Sequence, residues 1–380
     1  MNVDTISDFL ADQRDEAPEE LQGLIIQFEN LWERKLWHQL TDALVEFFEN
    51  PASQKQRLQF YKVFILKFAD KINQIKLVDL GLKAAAACKD DDERLSFLED
   101  LAKRVDNESS QDAFVYATIF VGLIKLRVDD DEGARKDLDK AEKILDTFDS
   151  VETKVHASFY RTNAMYYNSV SDYASYYRNA LLYLACIDLK DLSDKERKQR
   201  AYELGIAALV SDSIYNFGEL LQHPILASLS GDADWLRQLL IAFNRGDLVA
   251  YDKLSGNIKS NELLADNEQE IRQKIYLTAL TEAVFRRPPH QRAMTFDDIS
   301  ADTRVRPNEI EHLVMKALSL GLVRGTIDEV DKLVNFTWVQ PRVLDMTQIA
   351  SMSARLGEWG ENVNKLGNWI EATGQDIWAP

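Results

Sequence analysis

The chain has 380 residues, with 45 Lys plus Arg against 63 Asp plus Glu and a formal charge of -18. With 46% hydrophobic residues it can fill the cores of two or three domains, which excludes disorder of the whole. Only 15 glycines and 8 prolines occur, about half of average usage, so long helices on short connections are predicted.

So acidic a surface repels phosphate backbones, because nucleic-acid affinity comes largely from Lys and Arg displacing counterions. Cys88 and Cys186 lie in apolar stretches with no CxxC or Cys/His spacing, and they read as buried, reduced thiols. The segment Met1 to Asp15 carries acids where a secretory signal needs a basic start and an apolar core. No uncharged run approaches the roughly 18 to 20 residues that span a bilayer. The expected compartment is reducing and aqueous, the cytoplasm and nucleus.

Pro18, Glu19 and Glu20 suit a helix start, since proline loses nothing at the first helical position and acids favour the N-terminal dipole. Leu21, Leu24, Ile25, Phe28, Leu31 and Trp32 follow at spacings of three and four and mark one buried helix face. Next, a shift of about 40 residues superposes apolar positions of similar size. Leu77, Leu80 and Ala84 fall on Ala117, Phe120 and Ile124, and those on Ala157, Tyr160 and Ala164. In the second halves, Leu98 and Leu101 fall on Leu138 and Ala141, while Ala134, Ala141 and Ile144 fall on Ala174, Leu181 and Leu184. Polar breaks at Lys89–Glu93, Asp129–Gly133 and Ser169–Asp172 separate the halves. Helix, turn and helix in each unit is the grammar of an α-solenoid of tetratricopeptide type; a non-repetitive helical bundle would share the periodicity.

From Ser193 to Phe285 the helical pattern continues without a clean period. Two phrases stand out there, Asn216 to Pro224 and Phe243 to Leu248, the second a tight turn with Gly246 ending one helix and Asp247 starting the next. Arg286-Arg287-Pro288-Pro289-His290 is a helix stop and a boundary. Beyond it the pattern predicts a short helix over 295–299, a turn at Arg304 to Pro307 and a helix over 308–320 closed by Gly321. A strand follows through Leu322, Val323, Thr326 and Ile327, then a turn over 328–332 and a strand over 333–339. Helix, turn, helix and β-hairpin is the order of a winged-helix module. Finally Ile349, Met352, Leu356, Trp359, Val363, Leu366 and Ile370 alternate at spacings of three and four. That 3.5-residue repeat forms a straight apolar seam and asks for a nearly parallel partner helix. Folding back on its own domain is the competing reading.

No catalytic pattern emerges. His38, His156, His223, His290 and His312 show no metal-ligand spacing, and HExxH, HxH, GxGxxG, GxxxxGK[ST] and GxSxG are absent. Neither an active site nor a metal, cofactor or small-molecule substrate is expected. The helix that would enter a DNA groove carries Asn308, Glu309, Glu311 and His312 with Lys316 as its one base, which is wrong for phosphate. The local bases Arg286, Arg287, Arg292, Arg304 and Arg306 are the one feature favouring nucleic acid.

Helical repeats, the phrases Asn216–Pro224 and Phe243–Leu248, a winged helix and a long terminal helix together resemble the PCI family of subunits in large scaffolding complexes. The acidic start, Phe28 to Thr41 and Gly321 to Val330 resemble the branch of that family found in the proteasome regulatory particle lid. The resemblance implies a repeat arm over 1–192, a helical part of the PCI domain over 193–287, a winged-helix module over 288–342 and a bundle helix over 343–380. It also implies a non-catalytic scaffold for ubiquitin-dependent protein degradation, whose partners are other PCI subunits and neither nucleic acid nor membrane. In that family the sheet edges join side by side and the terminal helices gather in a bundle. Carried onto this chain, the hairpin residues Val323, Thr326, Ile327, Val334, Phe336 and Trp338 would offer edge strands for β-augmentation. Met352, Leu356, Trp359, Val363, Leu366 and Ile370 would supply the bundle seam. PCI subunits of the signalosome or of the translation initiation scaffold, and a winged-helix nucleic-acid-binding protein, remain alternatives at this point.

Overall fold

The computed structural model describes residues 4–378 apart from 89, 108–109, 149–151, 289–290, 342 and 344–345. Lys89, Pro289, His290 and Arg342, which mark breaks or boundaries in the sequence, lie outside the described residues. The chain divides into two compact units, Met1–Asp191 and Leu192–Pro380.

In the first unit the apolar period becomes helices laid against their chain neighbours. Gln111–Arg127 packs against Asp91–Val105 and Asp131–Leu145, and Thr153–Ser169 packs against Tyr173–Cys186. The positions superposed by the repeat face inward, with Leu77, Ala117 and Ala157 buried, as are Leu98, Leu138 and Ala141. Two of the intervening turns share one construction. Asp129 and Ser171 both take φ 61°, a left-handed conformation that ends a helix. The next residue, Asp130 or Asp172, donates its N–H 2.9 Å back to Lys125 or Tyr167. Its carboxylate then accepts from Gly133 N at 3.0 Å or Ser175 N at 3.2 Å and so opens the next helix.

Before the repeats, the Phe28–Trp37 stretch supplies an aromatic knot. The Phe28 ring lies 5.6 Å from Phe47, Phe47 lies 4.9 Å from Phe60, and Trp37 stacks on Phe68 at 5.6 Å. Offset and edge-on geometries of this kind add to the area these rings bury.

In the second unit, helix Glu268–Arg286 runs through two neighbourhoods. Ile271 and Ile275 are buried in the half that packs among Asp194–Val210, Asp234–Arg245 and Leu248–Ile258. Leu277, Leu280 and Val284 belong to the core of the winged helix, with Met294, Phe296, Ile310 and Phe336. The stop at Arg286 therefore marks a change of element and not of core.

A buried ammonium joins the pieces. Lys274 Nζ donates to the carbonyls of Ala208, Leu209 and Ser211 at 2.7, 3.2 and 2.6 Å. It thereby satisfies acceptors at the C-terminal end of helix Asp194–Val210. The amine also lies 5.5 and 5.3 Å from the rings of Tyr215 and Phe217. Burial pushes its pKa down to about 7, against the opposing pull of the Asp212 charge.

The turn at Gly246 has a steric origin besides its φ of 63°. A Cβ there would meet Ala279 Cα at 2.6 Å, so the turn seats directly on helix Glu268–Arg286. Within the phrase Asn216–Pro224, Gly218 gives way in the same sense to Val343, whose Cβ would stand 2.7 Å from an added one.

The winged helix begins with a strand that the sequence pattern does not announce. β1 (Ala293–Thr295) precedes helix Phe296–Thr303, where Thr295 accepts from Asp298 N and donates its own N–H to the Asp298 carboxylate, both at 3.2 Å. Helix Pro307–Ser319 follows, then β2 (Val323–Asp328) and β3 (Leu333–Val339). The antiparallel sheet has the order β1-β3-β2, with a bulge in β2 between Arg324 and Gly325. The last helix, Met346–Trp378, has 33 residues, about 50 Å at 1.5 Å per residue.

Three substitutions test these joints. Gly246→Ala is expected to destabilise by about 2–4 kcal/mol, through its positive φ and the clash with Ala279. Gly256→Ala, with open space at its Cβ in helix Leu248–Ile258, is expected to stabilise by about 0.5–1 kcal/mol. Urea unfolding of the full chain measures both. Lys274→Met removes three buried hydrogen bonds and is expected to cost about 2–4 kcal/mol. Because the native amine has a lowered pKa, the unfolded chain binds more protons between about pH 7 and 10.5. Stability relative to Lys274→Met should therefore rise with pH through that window, and a gap that narrows would contradict the assignment.

Candidate interaction surfaces

The chemistry-bearing side chains are dispersed. His38 Nδ1 stands 3.1 Å from an Asp42 carboxylate, and His223 Nδ1 accepts from Ile225 N at 3.2 Å, so each serves its own turn or helix. Cys88 and Cys186 are free thiols, and burial pushes both up and away from the reactive thiolate. Among the described residues no group of three or more His, Cys, Asp and Glu side chains could hold a metal ion. No described helix is long and apolar enough to cross a membrane.

Two features instead present surface that ordinary folding covers. The first is the sheet. β3 takes β2 on one side and β1 on the other, through Ala293 to Asn335, Met294 to Val334 and Thr295 to Leu333. The sequence-based assignment of Val334, Phe336 and Trp338 to an edge strand is corrected by this pairing: β3 is the inner strand. The outer strand of the hairpin is β2, which carries Val323, Thr326 and Ile327. The side chains also divide by face. Val323, Val334 and Phe336 are buried in the module's own core, Ile327 and Trp338 are half-buried, and Thr326 is exposed. An approaching strand would therefore meet the β2 backbone and Thr326, while the buried three hold the sheet on its helices. On the solvent face the Arg324 guanidinium lies 4.8 Å over the Trp338 ring, covering part of it.

The second feature is the terminal helix. Met352, Leu356, Trp359, Val363, Leu366 and Ile370 are all between 46% and 66% exposed, and Ile349 is 43% exposed. These residues line one stripe because spacings of three and four return to the same side of a helix. Trp369, 63% exposed, widens the stripe beside Ile370. It was not among the residues the periodicity selected, although its place three residues after Leu366 is the signal that finds it. Gly357, Gly360 and Gly367 lie in the same helix with open space around them, and each weakens an isolated helix by about 1 kcal/mol relative to Ala. Covering a large apolar side chain is worth about 1.5–3 kcal/mol, so burial of this stripe would offset those glycines.

Known proteins share this arrangement along its whole length. Residues 24–240 match the family of PSD13 N-terminal repeats, residues 251–338 the PCI domain, and residues 342–374 the Rpn9 C-terminal helix. The chain is 47% identical over 373 residues to the probable 26S proteasome regulatory subunit rpn9 of Schizosaccharomyces pombe, covering 98% of this chain and 97% of that one. It is 41% identical to the 26S proteasome regulatory subunit RPN9 of Saccharomyces cerevisiae, over 99% of this chain and 98% of the relative. Identity is 34% to the 26S proteasome non-ATPase regulatory subunit 13 of Dictyostelium discoideum, with 94% and 95% covered. With repeats, PCI domain and terminal helix each matched in the same order, the chain belongs to the Rpn9 family of 26S proteasome regulatory subunits.

Proposed function

We propose that the chain is a non-catalytic structural subunit of the 26S proteasome regulatory particle lid, working in the cytoplasm and nucleus in ubiquitin-dependent protein degradation. Its partners on this reading are other PCI subunits, met through the outer edge of β2 and through the terminal helix.

The observation that carries the reading is the exposed stripe of Met346–Trp378. A helix of 33 residues with its apolar face in solvent is a component waiting for a bundle, because no soluble fold gains by leaving six large apolar side chains in water. The β2 edge supports the same reading, since an unpaired strand offers backbone N–H and C=O groups to a neighbouring sheet. Relatives named as non-ATPase and regulatory subunits support a role without ATP hydrolysis of its own.

The experiment is the triple substitution Leu356→Asp, Val363→Asp and Leu366→Asp in the full chain. All three side chains are exposed, so the isolated protein should keep its circular dichroism and its melting temperature within about 2 °C. Its recovery with affinity-purified proteasome should fall at least about tenfold, since about 1.4 kcal/mol corresponds to a factor of ten and three buried anchors exceed that. Undiminished co-purification would remove the helix from the assembly contact. Loss of folding would show that the stripe stabilises the chain itself.

A further inference from the structure

The bases at 286–306 separate into two groups once their neighbours are known. Arg286 Nε pairs with Glu282 at 2.9 Å and Arg287 with Asp302 at 3.4 Å, while Arg292 Nε donates to the Arg287 carbonyl at 3.4 Å. The guanidiniums of Arg304 and Arg306 have no ion pair or hydrogen bond among the described residues. They are joined by Arg272, on helix Glu268–Arg286, whose Nε donates to Tyr276 Oη at 3.2 Å and which has no carboxylate partner within 4 Å among the described residues. All three are exposed, in a chain of net charge -18.

These arginines border one groove of about 870 Å³ between helix Glu268–Arg286 and the start of helix Pro307–Ser319. A smaller cavity of about 210 Å³ shares Arg272, Tyr276 and Arg304 with it and extends it toward Leu248, Tyr251 and Asp252, whose carboxylate acts on Arg272 through space. Tyr276, Val305 and Leu313 give the groove an apolar side. Arg304 stands at φ 54° and ψ 22°, capping helix Phe296–Thr303 in a conformation that favours glycine. Asp129 and Ser171 end their helices in the same conformation, so this φ fixes where the Arg304 side chain leaves the backbone and is not itself a mark of function.

We propose that this groove is a docking site for a short acidic segment of a partner protein, with Arg272, Arg304 and Arg306 holding its carboxylates and an apolar side chain seated on Tyr276 and Leu313. Guanidiniums are suited to this because their fork of donors matches a carboxylate and they are less strongly hydrated than ammonium groups. The positive end of helix Pro307–Ser319 adds to the field at Arg306. Glu270 and Glu309 also line the groove. With Asp252 they repel a continuous phosphate backbone, whereas a peptide can place its few carboxylates opposite the arginines and clear of all three acids. The proposal concerns residues outside β2 and the terminal helix, so it stands or falls separately from the lid reading.

Fluorescence anisotropy on the full chain tests it with three labelled probes: a 15-residue peptide of alternating Glu or Asp with Leu or Phe, its Gln and Asn counterpart, and a single-stranded 15-mer oligonucleotide. The acidic peptide should bind at least tenfold more tightly than the amide peptide, and more weakly as salt rises. Arg304→Gln with Arg306→Gln should weaken it at least tenfold. Arg304→Gly should do so as well while melting no lower than the unsubstituted chain, because glycine relieves the positive φ. No binding, equal binding of both peptides, or binding that survives the substitutions would overturn the proposal. Tighter, arginine-dependent binding of the oligonucleotide would overturn it in favour of nucleic acid.

Discussion

The second unit depends on what helix Glu268–Arg286 can hold at once, and the Lys274 ammonium is the point where its demands meet. Three carbonyls at the end of helix Asp194–Val210 converge on one nitrogen that comes from the middle of another helix. Helix ends leave such acceptors unsatisfied, and burying them without donors costs about 1–3 kcal/mol each. A lysine answers three at once because its ammonium carries three donors. With that joint closed, one side of the helix receives the Gly246 turn and the C-terminal part supplies Leu277, Leu280 and Val284 to the winged helix. The orientation of the sheet, and with it of β2, follows from a helix whose N-terminal half is fixed elsewhere.

Much of this order was legible because it is local. An aspartate that both closes a left-handed turn and caps the next helix leaves a mark in sequence, and Asp130, Asp172 and Asp247 all do so. The stripe on Met346–Trp378 was equally plain, since spacings of three and four need no knowledge of the rest of the chain. What escaped was non-local. β1 has three residues, of which Met294 alone is buried, and it is a strand only because β3 pairs with it. Missing it placed β3 at an edge, and alternation alone did not show that Val334 and Phe336 face the module's own helices. Arg272 escaped for the same reason: it is distant in sequence from Arg304 and Arg306 and meets them across a groove.

The phrases that carried the family resemblance have mechanical explanations. Phe28, Trp32 and Trp37 recur as ring contacts of the aromatic knot, so the stretch from Phe28 to Thr41 is tightly constrained by packing. Asn216–Pro224 contains the glycine that lets Val343 approach, linking the segment after β3 to a turn far earlier in the chain. Phe243–Leu248 contains the glycine that seats on Ala279. The two glycine phrases mark close approaches that a larger side chain would prevent and the aromatic stretch marks a tightly filled core, which is why short motifs could indicate a fold whose helices are otherwise interchangeable in composition.

Charge decides how such a scaffold can expose apolar surface without pairing with itself. Many of its bases are spent linking helices, as Lys76 with Asp42, Lys83 with Glu49, Lys125 with Asp137 and Lys154 with Asp79 show. The surplus acids remain outside and give every copy the same sign. Repulsion between like copies is screened within about 8 Å at physiological salt, so it acts when two surfaces approach contact and leaves distant encounters unaffected. An apolar stripe on such a body is disfavoured from meeting a second copy and accessible to a partner whose charges complement its surroundings. Selectivity against self-association then needs no residue in the stripe itself: the stripe supplies adhesion, and the acidic body limits what may adhere.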